Sequence, residues 1–297
     1  MAPDPIPALI KRFNLDAPFH IQYAMWLGEV LKGNLGYSNL YDMSVVNVIF
    51  HFLPATAELV IFASPIIIIG GYKLGVLSAK RSRSKAPRQD AVDYSIRVMT
   101  TIGYSVPSFV VGYVLLLFVT IYFGWLPIGR LDQSMSSPAV RYTGFLTIDG
   151  LLNGRLDVTS DALRRLLLPV MTLAVQNLAI LVRITRSGMI GELSKPYIVT
   201  AKAKGLPDQR VVRHAEKNSL ASIMTVSGIL FANMLTGVVV TEYVFNFKGL
   251  GYLTVNAASR FDYPLMVGLA LFFCLVFMLV NLIVDIAYTY LDPRIKT

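Results

Sequence analysis

A hydrolytic or metal centre needs reactive side chains at workable spacing, and this chain offers few. Its three histidines, His20, His51 and His214, are scattered, and the single Cys274 has no second cysteine for an internal disulfide, which leaves the redox compartment open. No H-E-x-x-H, C-x-x-C or G-x-S-x-G occurs, and no G-x-x-x-x-G-K-[ST] supplies a phosphate cradle. The sharpest enzymatic idea is a serine nucleophile inside a membrane, at Ser105 of Gly103-Tyr104-Ser105. A nucleophilic serine needs a base within hydrogen-bond reach, yet no long apolar stretch holds a histidine, and Lys73 falls at the end of one. Small residues with Pro107, letting helices pack closely or kink, explain the motif better. Glu58 and Asp285 also lie near the ends of apolar stretches rather than at mid-depth, which gives an ion relay little support. Asn281 and Asp285 share a helix face at i, i+4, and Gln176 and Asn177 sit inside another stretch. Hydrogen bonding between helices is the leading reading of these four, with path lining as the alternative.

The elements that must position these groups follow from composition. Of 297 residues, 55% are hydrophobic and 15% charged, with a mean hydropathy of +0.58. A soluble domain carries about 45–50% apolar and about 25% charged residues, so a polytopic, all-α membrane protein is the expected class. Crossing a bilayer takes about 20 apolar helical residues. Five windows qualify, at 56–77, 98–123, 166–182, 218–241 and 263–284, the third extended by snorkelling of Arg183 and Arg186. Sorting charges by side puts 17 of the 27 basic residues with seven acids on one face, a balance of +10 against −1 opposite. The positive-inside rule makes the first face cytoplasmic, together with the C-terminus. The overall charge of +9 is thereby explained by topology, and nucleic acid is not an expected partner.

Residues 1–53 read as an external segment with an amphipathic helix, 54–290 as a membrane core, and 291–297 as a cytoplasmic tail. Five spans with a cytoplasmic C-terminus put the N-terminus outside, although no signal peptide precedes it. The external loop from Gly124 to Arg165 is long and broken by prolines and glycines. The cytoplasmic segment 188–217 differs in kind. Pro196 opens a helix, Gly205 and Pro207 stop it, and Asp208 caps a second helix running to Lys217. Helix, sharp turn and helix at a membrane surface present a compact knob to a cytosolic partner.

That segment, Tyr197-Ile198-Val199-Thr200-Ala201-Lys202-Ala203-Lys204-Gly205-Leu206 followed by His214 and Asn218, resembles the EAA loop of ABC-importer permeases in the oligopeptide/dipeptide/nickel class. Three other stretches agree in order: Pro54-Ala55-Thr56-Ala57-Glu58-Leu59; Ser105-Val106-Pro107-Ser108-Phe109 with Gly124-Trp125-Leu126-Pro127; and Glu242-Tyr243-Val244-Phe245 with Gly249-Leu250-Gly251, Asp262-Tyr263-Pro264, Asn281, Asp285 and Asp292-Pro293-Arg294. Gly33-Asn34-Leu35-Gly36-Tyr37-Ser38 is similar to the B-type permease of a heterodimeric pair. Val199 stands where the family usually has Glu, and Ser222 where it commonly has proline. The family normally has one further N-terminal helix, and Met1-Ala2-Pro3-Asp4-Pro5 resembles the residues just after it.

The resemblance implies a type I ABC importer permease fold with five of the usual six helices. It implies a multi-pass plasma (inner) membrane protein forming half the translocation path for peptides or a similar solute, such as nickel or oligosaccharides. Its partners would be a second permease, two cytosolic ABC ATPases that bind ATP and Mg, an extracytoplasmic solute-binding protein and the lipid bilayer. The chain itself would be no enzyme and hold no cofactor. Tyr197, Thr200, Ala201, Lys202, Ala203, Lys204, Gly205, Leu206 and His214 would couple it to the ATPase. Two rivals stand beside this reading: an ion-coupled secondary transporter and a membrane-embedded enzyme.

Overall fold

The computed structural model describes residues 16–82, 87–135, 138 and 140–291. The expectations for Met1–Pro5, for Asp292-Pro293-Arg294 and for the tail beyond residue 291 lie outside the described residues, as do Arg83 and Lys85. Helix α1 (Phe19–Leu31) has no buried residue and exposes Phe19, Tyr23, Trp26, Leu27 and Leu31. A two-residue antiparallel ribbon, β1 (Tyr37–Ser38) against β2 (Met43–Ser44), leads into α2 (Val45–Arg81). Ser44 caps α2 by accepting from the backbone N–H of Asn47. Pro54, where the membrane core was expected to start, therefore falls inside one continuous 37-residue helix.

The window 98–123 is not one straight helix. Helix α3 (Pro87–Ser105) ends just before Pro107, and α4 (Ser108–Leu115) restarts after it and relaxes into a π-helical run, Leu116–Tyr122. The two halves meet at 97°. Proline has no N–H for the i−4 carbonyl and pushes the preceding residue out of helical geometry, so Val106 and Pro107 become a joint. After a long loop come α5 (Leu146–Leu152) and α6 (Leu156–Leu193), then α7 (Pro196–Ala203) and α8 (Asp208–Gly237). The window 218–241 is a continuation of α8 rather than a new helix, and it ends early, at Gly237. Short α9 (Val239–Val244) and α10 (Leu250–Ser259) precede α11 (Tyr263–Leu291).

Among the described residues, α2, α6 and α11 are each long and apolar enough to cross a membrane, and the bent α3–α4 pair makes a fourth candidate. Helix α8 contributes only a shorter apolar stretch, Ile223–Met234. In lipid the packing of such helices depends on close van der Waals contact, which small residues permit. Gly71 and Gly75, one turn apart on α2, supply it: a Cβ on Gly71 would sit 2.8 Å from Leu181, and one on Gly75 would sit 2.5 Å from the Cβ of Thr185. Helices α2, α6 and α8 then share one core, with Leu59, Ile67, Leu166, Leu181, Leu230 and Met234 among its members. A second core joins the N-terminal part of α2 to α10 and α11 through Ile49, Leu253 and Leu265.

Candidate coupling segment and buried polar network

The coupling segment is built by local chemistry. Pro196 occupies the first turn of α7, where its missing N–H costs nothing. Two bonds close the other end: the N–H of Gly205 donates to the carbonyl of Lys202 at 2.9 Å, and that of Leu206 to Ala201 at 3.2 Å. This pair defines a Schellman turn, and Gly205 stands at φ +74° as that turn requires. Leu206 and Ala201 both pack against the buried cluster around Ile198. Pro207, not Asp208, is the residue flanking α8; Asp208 lies in the first turn, with Lys202 Nζ 3.6 Å away.

The knob is anchored on one side and open on the other. Ile198 is buried among Val76 and Ala79 of α2, Met189 and Leu193 of α6, and Val211 and Ala215 of α8. Tyr197 donates to Glu192 at 3.0 Å, and burial raises its phenol above the ordinary value. Lys80 at the end of α2 pairs with Glu216 of α8 at 2.7 Å. Val199, Thr200, Lys202, Ala203, Lys204 and His214 are exposed, while Ala201 and Leu206 are half-buried. The segment therefore shows the solvent a small-residue, basic face on a base made by three long helices.

The polar residues expected to line a path or bridge helices are less concentrated. The amide of Asn177 donates to Leu173 one turn back on α6, at 2.8 Å. Gln176 and Asn281 are half-buried and Asp285 is exposed. Ser105 donates to the carbonyl of Thr101 on its own helix, so its hydroxyl is engaged locally.

The structure instead brings together three polar clusters that sequence reasoning did not assemble. Near the end that carries α7, Arg186 of α6, read from sequence as a snorkelling residue, meets buried Asp93 of α3 through two bonds of 2.9 Å, and Ser78 of α2 donates to the same carboxylate. Near the other end, Glu58 accepts from the backbone and hydroxyl of Thr147 at 2.9 and 2.6 Å and from Arg130 at 3.2 Å. Arg130 also donates to the carbonyl of Gly144. Glu242 takes the hydroxyl of Thr56 at 2.6 Å and the N–H groups of Gly251 and Tyr252 at 2.8 and 3.0 Å, so it closes the open start of α10. Thr56 in turn accepts from Leu250 at 2.7 Å. Beside these lies a cavity of about 960 Å³ lined by His51, Arg130, Asp132, Arg165, Asn246 and Lys248. Within it, hydrogen bonds from Ser134 hold Asp132 below the usual carboxylate range, and Arg165 pairs with Asp132 at 2.8 Å and Asp161 at 2.7 Å. Glu242 and the Gly249-Leu250-Gly251 run were visible as a motif; their bond was not.

Residues 71–297 match the family described as binding-protein-dependent transport system inner membrane component. The chain is 36% identical over 290 residues to the probable D,D-dipeptide transport system permease protein DdpB of Escherichia coli (strain K12), covering 96% of this chain and 82% of that protein. It is 33% identical over 296 residues to the dipeptide transport system permease protein DppB of Alkalihalophilus pseudofirmus, covering 99% and 87%. Among solved structures, an inward-facing form of the MetNI methionine ABC transporter matches with a TM-score of 0.57 at 15% identity, over 84% of this chain and 96% of that one. At that identity the likeness is one of fold.

Proposed function

This chain belongs to the binding-protein-dependent transport system inner membrane components, and we propose that it is the permease through which an importer of short peptides couples ATP hydrolysis to transport. It is a multi-pass membrane protein with the type I ABC importer permease fold, and a transport subunit rather than an enzyme. Peptide cargo is inferred from the relatives, which are named for dipeptide transport. In this reading α2, the bent α3–α4 pair, α6, α8 and α11 cross the bilayer, residues 54–290 form the membrane core, and the C-terminus is cytoplasmic. A second, different permease completes the path. Two ATPases bind ATP and Mg, and a binding protein delivers cargo from outside.

The observation that carries the coupling assignment is α7 itself, a rigid knob whose exposed face is set by a Schellman turn and whose base is shared by α2, α6 and α8. Ala201 and Ala203 admit close approach, Lys202 and Lys204 meet acidic groups of the ATPase, and Gly205 makes the turn. Tyr197, Thr200, Leu206 and His214 complete the docking element. Gln176, Asn177, Asn281 and Asp285 are its candidates for path lining or interhelix contact. ATP-driven closure of the ATPases would move α7 as a rigid body and switch the side on which the path opens.

Reconstitution with and without the ATPase subunits tests the transport reading: ATP-dependent peptide uptake is expected, and uptake that persists with no ATPase present overturns it. Gly205→Pro tests the coupling assignment. Proline cannot reach φ +74° and removes the N–H bonded to Lys202. Loss of ATPase co-purification with normal membrane insertion is expected; undiminished co-purification refutes the assignment.

A further inference from the structure

We propose that a groove between α3 and α6, at the end of the molecule nearest α7, is a binding site for an anionic phospholipid headgroup. The inference rests on the membrane orientation given under Proposed function. The groove has a volume of about 430 Å³ and is lined by Arg97 and Thr101 of α3 and by Arg183, Arg186, Ser187 and Ile190 of α6. Arg97 and Thr101 are i, i+4 on one helix, and Arg183, Arg186, Ser187 and Ile190 are i, i+3, i+4, i+7 on the other, so two helical faces turn three guanidiniums into one space.

The charge there is not balanced by protein. Among the described residues the one carboxylate paired with these arginines is buried Asp93, and it is engaged by Arg186 and Ser78. Arg97 reaches it only at 3.5 Å and keeps a side chain 54% exposed. Arg183 has no carboxylate partner among the described residues and lies over the ring of Tyr104, 5.1 Å from its centroid. About two positive charges are left facing outward. Guanidinium forks match phosphate oxygens in two-point geometry, and the hydroxyls of Thr101 and Ser187 add donors at the same rim.

The surroundings select a lipid over a free anion. Beside the groove α3 exposes Tyr94, Val98, Met99 and Ile102, an apolar strip on which acyl chains can lie. The charged end is level with Ser78, just short of Lys80 and Arg81 at the end of α2. On the proposed topology this is the cytoplasmic headgroup layer, where basic pockets between helices meet anionic lipid. A phospholipid answers both the charge and the apolar strip, whereas inorganic phosphate answers only the charge.

The test uses the full chain co-purified with its partner permease, stripped of lipid in detergent, and read by native mass spectrometry. Phosphatidylglycerol is expected to bind in preference to chain-matched phosphatidylcholine. A basic side chain near a headgroup contributes about five-fold in affinity, so Arg97→Gln with Arg183→Gln is expected to weaken phosphatidylglycerol binding roughly 25-fold. The same pair changed to Lys should recover part of the loss, and Arg155→Gln, at the opposite end of α6, should change nothing. If the double variant fails to fold, Arg183→Gln alone carries the test at about five-fold. Equal binding of the two lipids, undiminished binding to the double variant, or displacement of phosphatidylglycerol by inorganic phosphate at matched concentration overturns the proposal. So does a Thr101→Cys crosslink to the second permease, which would mean that the partner covers the groove. Lipid binding is read without ATP or cargo, so its failure and a failure of the transport reading are separate results.

Discussion

Asp93→Asn isolates the ion pair that ties α3 to α6. The carboxylate takes two bonds from Arg186, one from Ser78 and a longer approach from Arg97. An asparagine of the same shape loses the charge and turns an N–H₂ donor toward guanidinium donors. Removing one member of a buried pair costs about 3–5 kcal/mol, because the other is left desolvated without compensation. Arg186 is 24% exposed and Asp93 6%, so partial solvation of the arginine lowers the expectation to about 2–3 kcal/mol. For a chain of this size, with about 2.1 cal/mol/K of unfolding entropy per residue, that corresponds to a fall in melting temperature of roughly 3–5 °C. Thermal unfolding in detergent, followed by the loss of monodisperse protein, measures it. The stricter assay is the cycle of Asp93→Asn, Arg186→Met and the variant carrying both: residues in one network should show a coupling of about 2 kcal/mol, so the double variant should be more stable than the two single losses predict. Losses that simply add would refute the claim that this pair, rather than general packing, joins the two helices.

Two further perturbations test the other ends of the structure. Glu242→Gln leaves either the hydroxyl of Thr56 or an N–H at the start of α10 without its acceptor; a loss of about 1–3 kcal/mol is expected in the same melts, and an unchanged midpoint would show the carboxylate to be dispensable there. Gly75→Val drives methyl groups into Thr185 and the carbonyl of Val182; overpacking of this kind costs about 1–3 kcal/mol, and it should raise protease sensitivity while Gly191→Ala, at a site with open space around it, does not.

What could be read from sequence was what is decided locally. Apolar runs forecast the long helices, and Pro196, Gly205 and Pro207 forecast the short helix and turn of the coupling segment, because a proline at N1 and a glycine at C′ act on their own backbone. Pro107 signalled a kink, but the 97° angle depends on what α4 packs against, and nothing nearby forecast the π-helical run that follows. Arg186 looked like a residue at a span end seeking solvent; its true partner, Asp93, is 93 residues away and belongs to a helix whose placement only the fold decides. One distant contact did leave a signal. Gly71 and Gly75 form the G-x-x-x-G spacing of close helix crossings, and they mark where α2 meets α6.

The way these elements are joined constrains how a push at α7 would travel under the proposed mechanism. Helix α2 has 37 residues and α6 has 38, each about 55 Å at 1.5 Å per residue, so both run from the α7 base to the opposite face. The glycine crossing locks them to each other in the third nearest α7, and Lys80–Glu216 fastens α8 at the bottom. A packed unit of that kind moves as a body, since cores are bistable rather than continuously deformable. The chain is jointed elsewhere, at Val106–Pro107 between α3 and α4 and at Val238 between α8 and α9. Asp93 attaches the lower half of the first joint to the moving body, while α9, held through Glu242 to Thr56 of α2 and to the start of α10, carries the far side of the second. Leu115 of α4 packs on the cluster of Leu168 of α6, and α9 is fastened to α2, so a rigid displacement of α2 and α6 carries the far side of both joints with it. The cavity lies beside the second of them, lined by Arg165 of α6, Asn246 and Lys248, so on the proposed mechanism its wall moves with the helix that carries α7 at its other end.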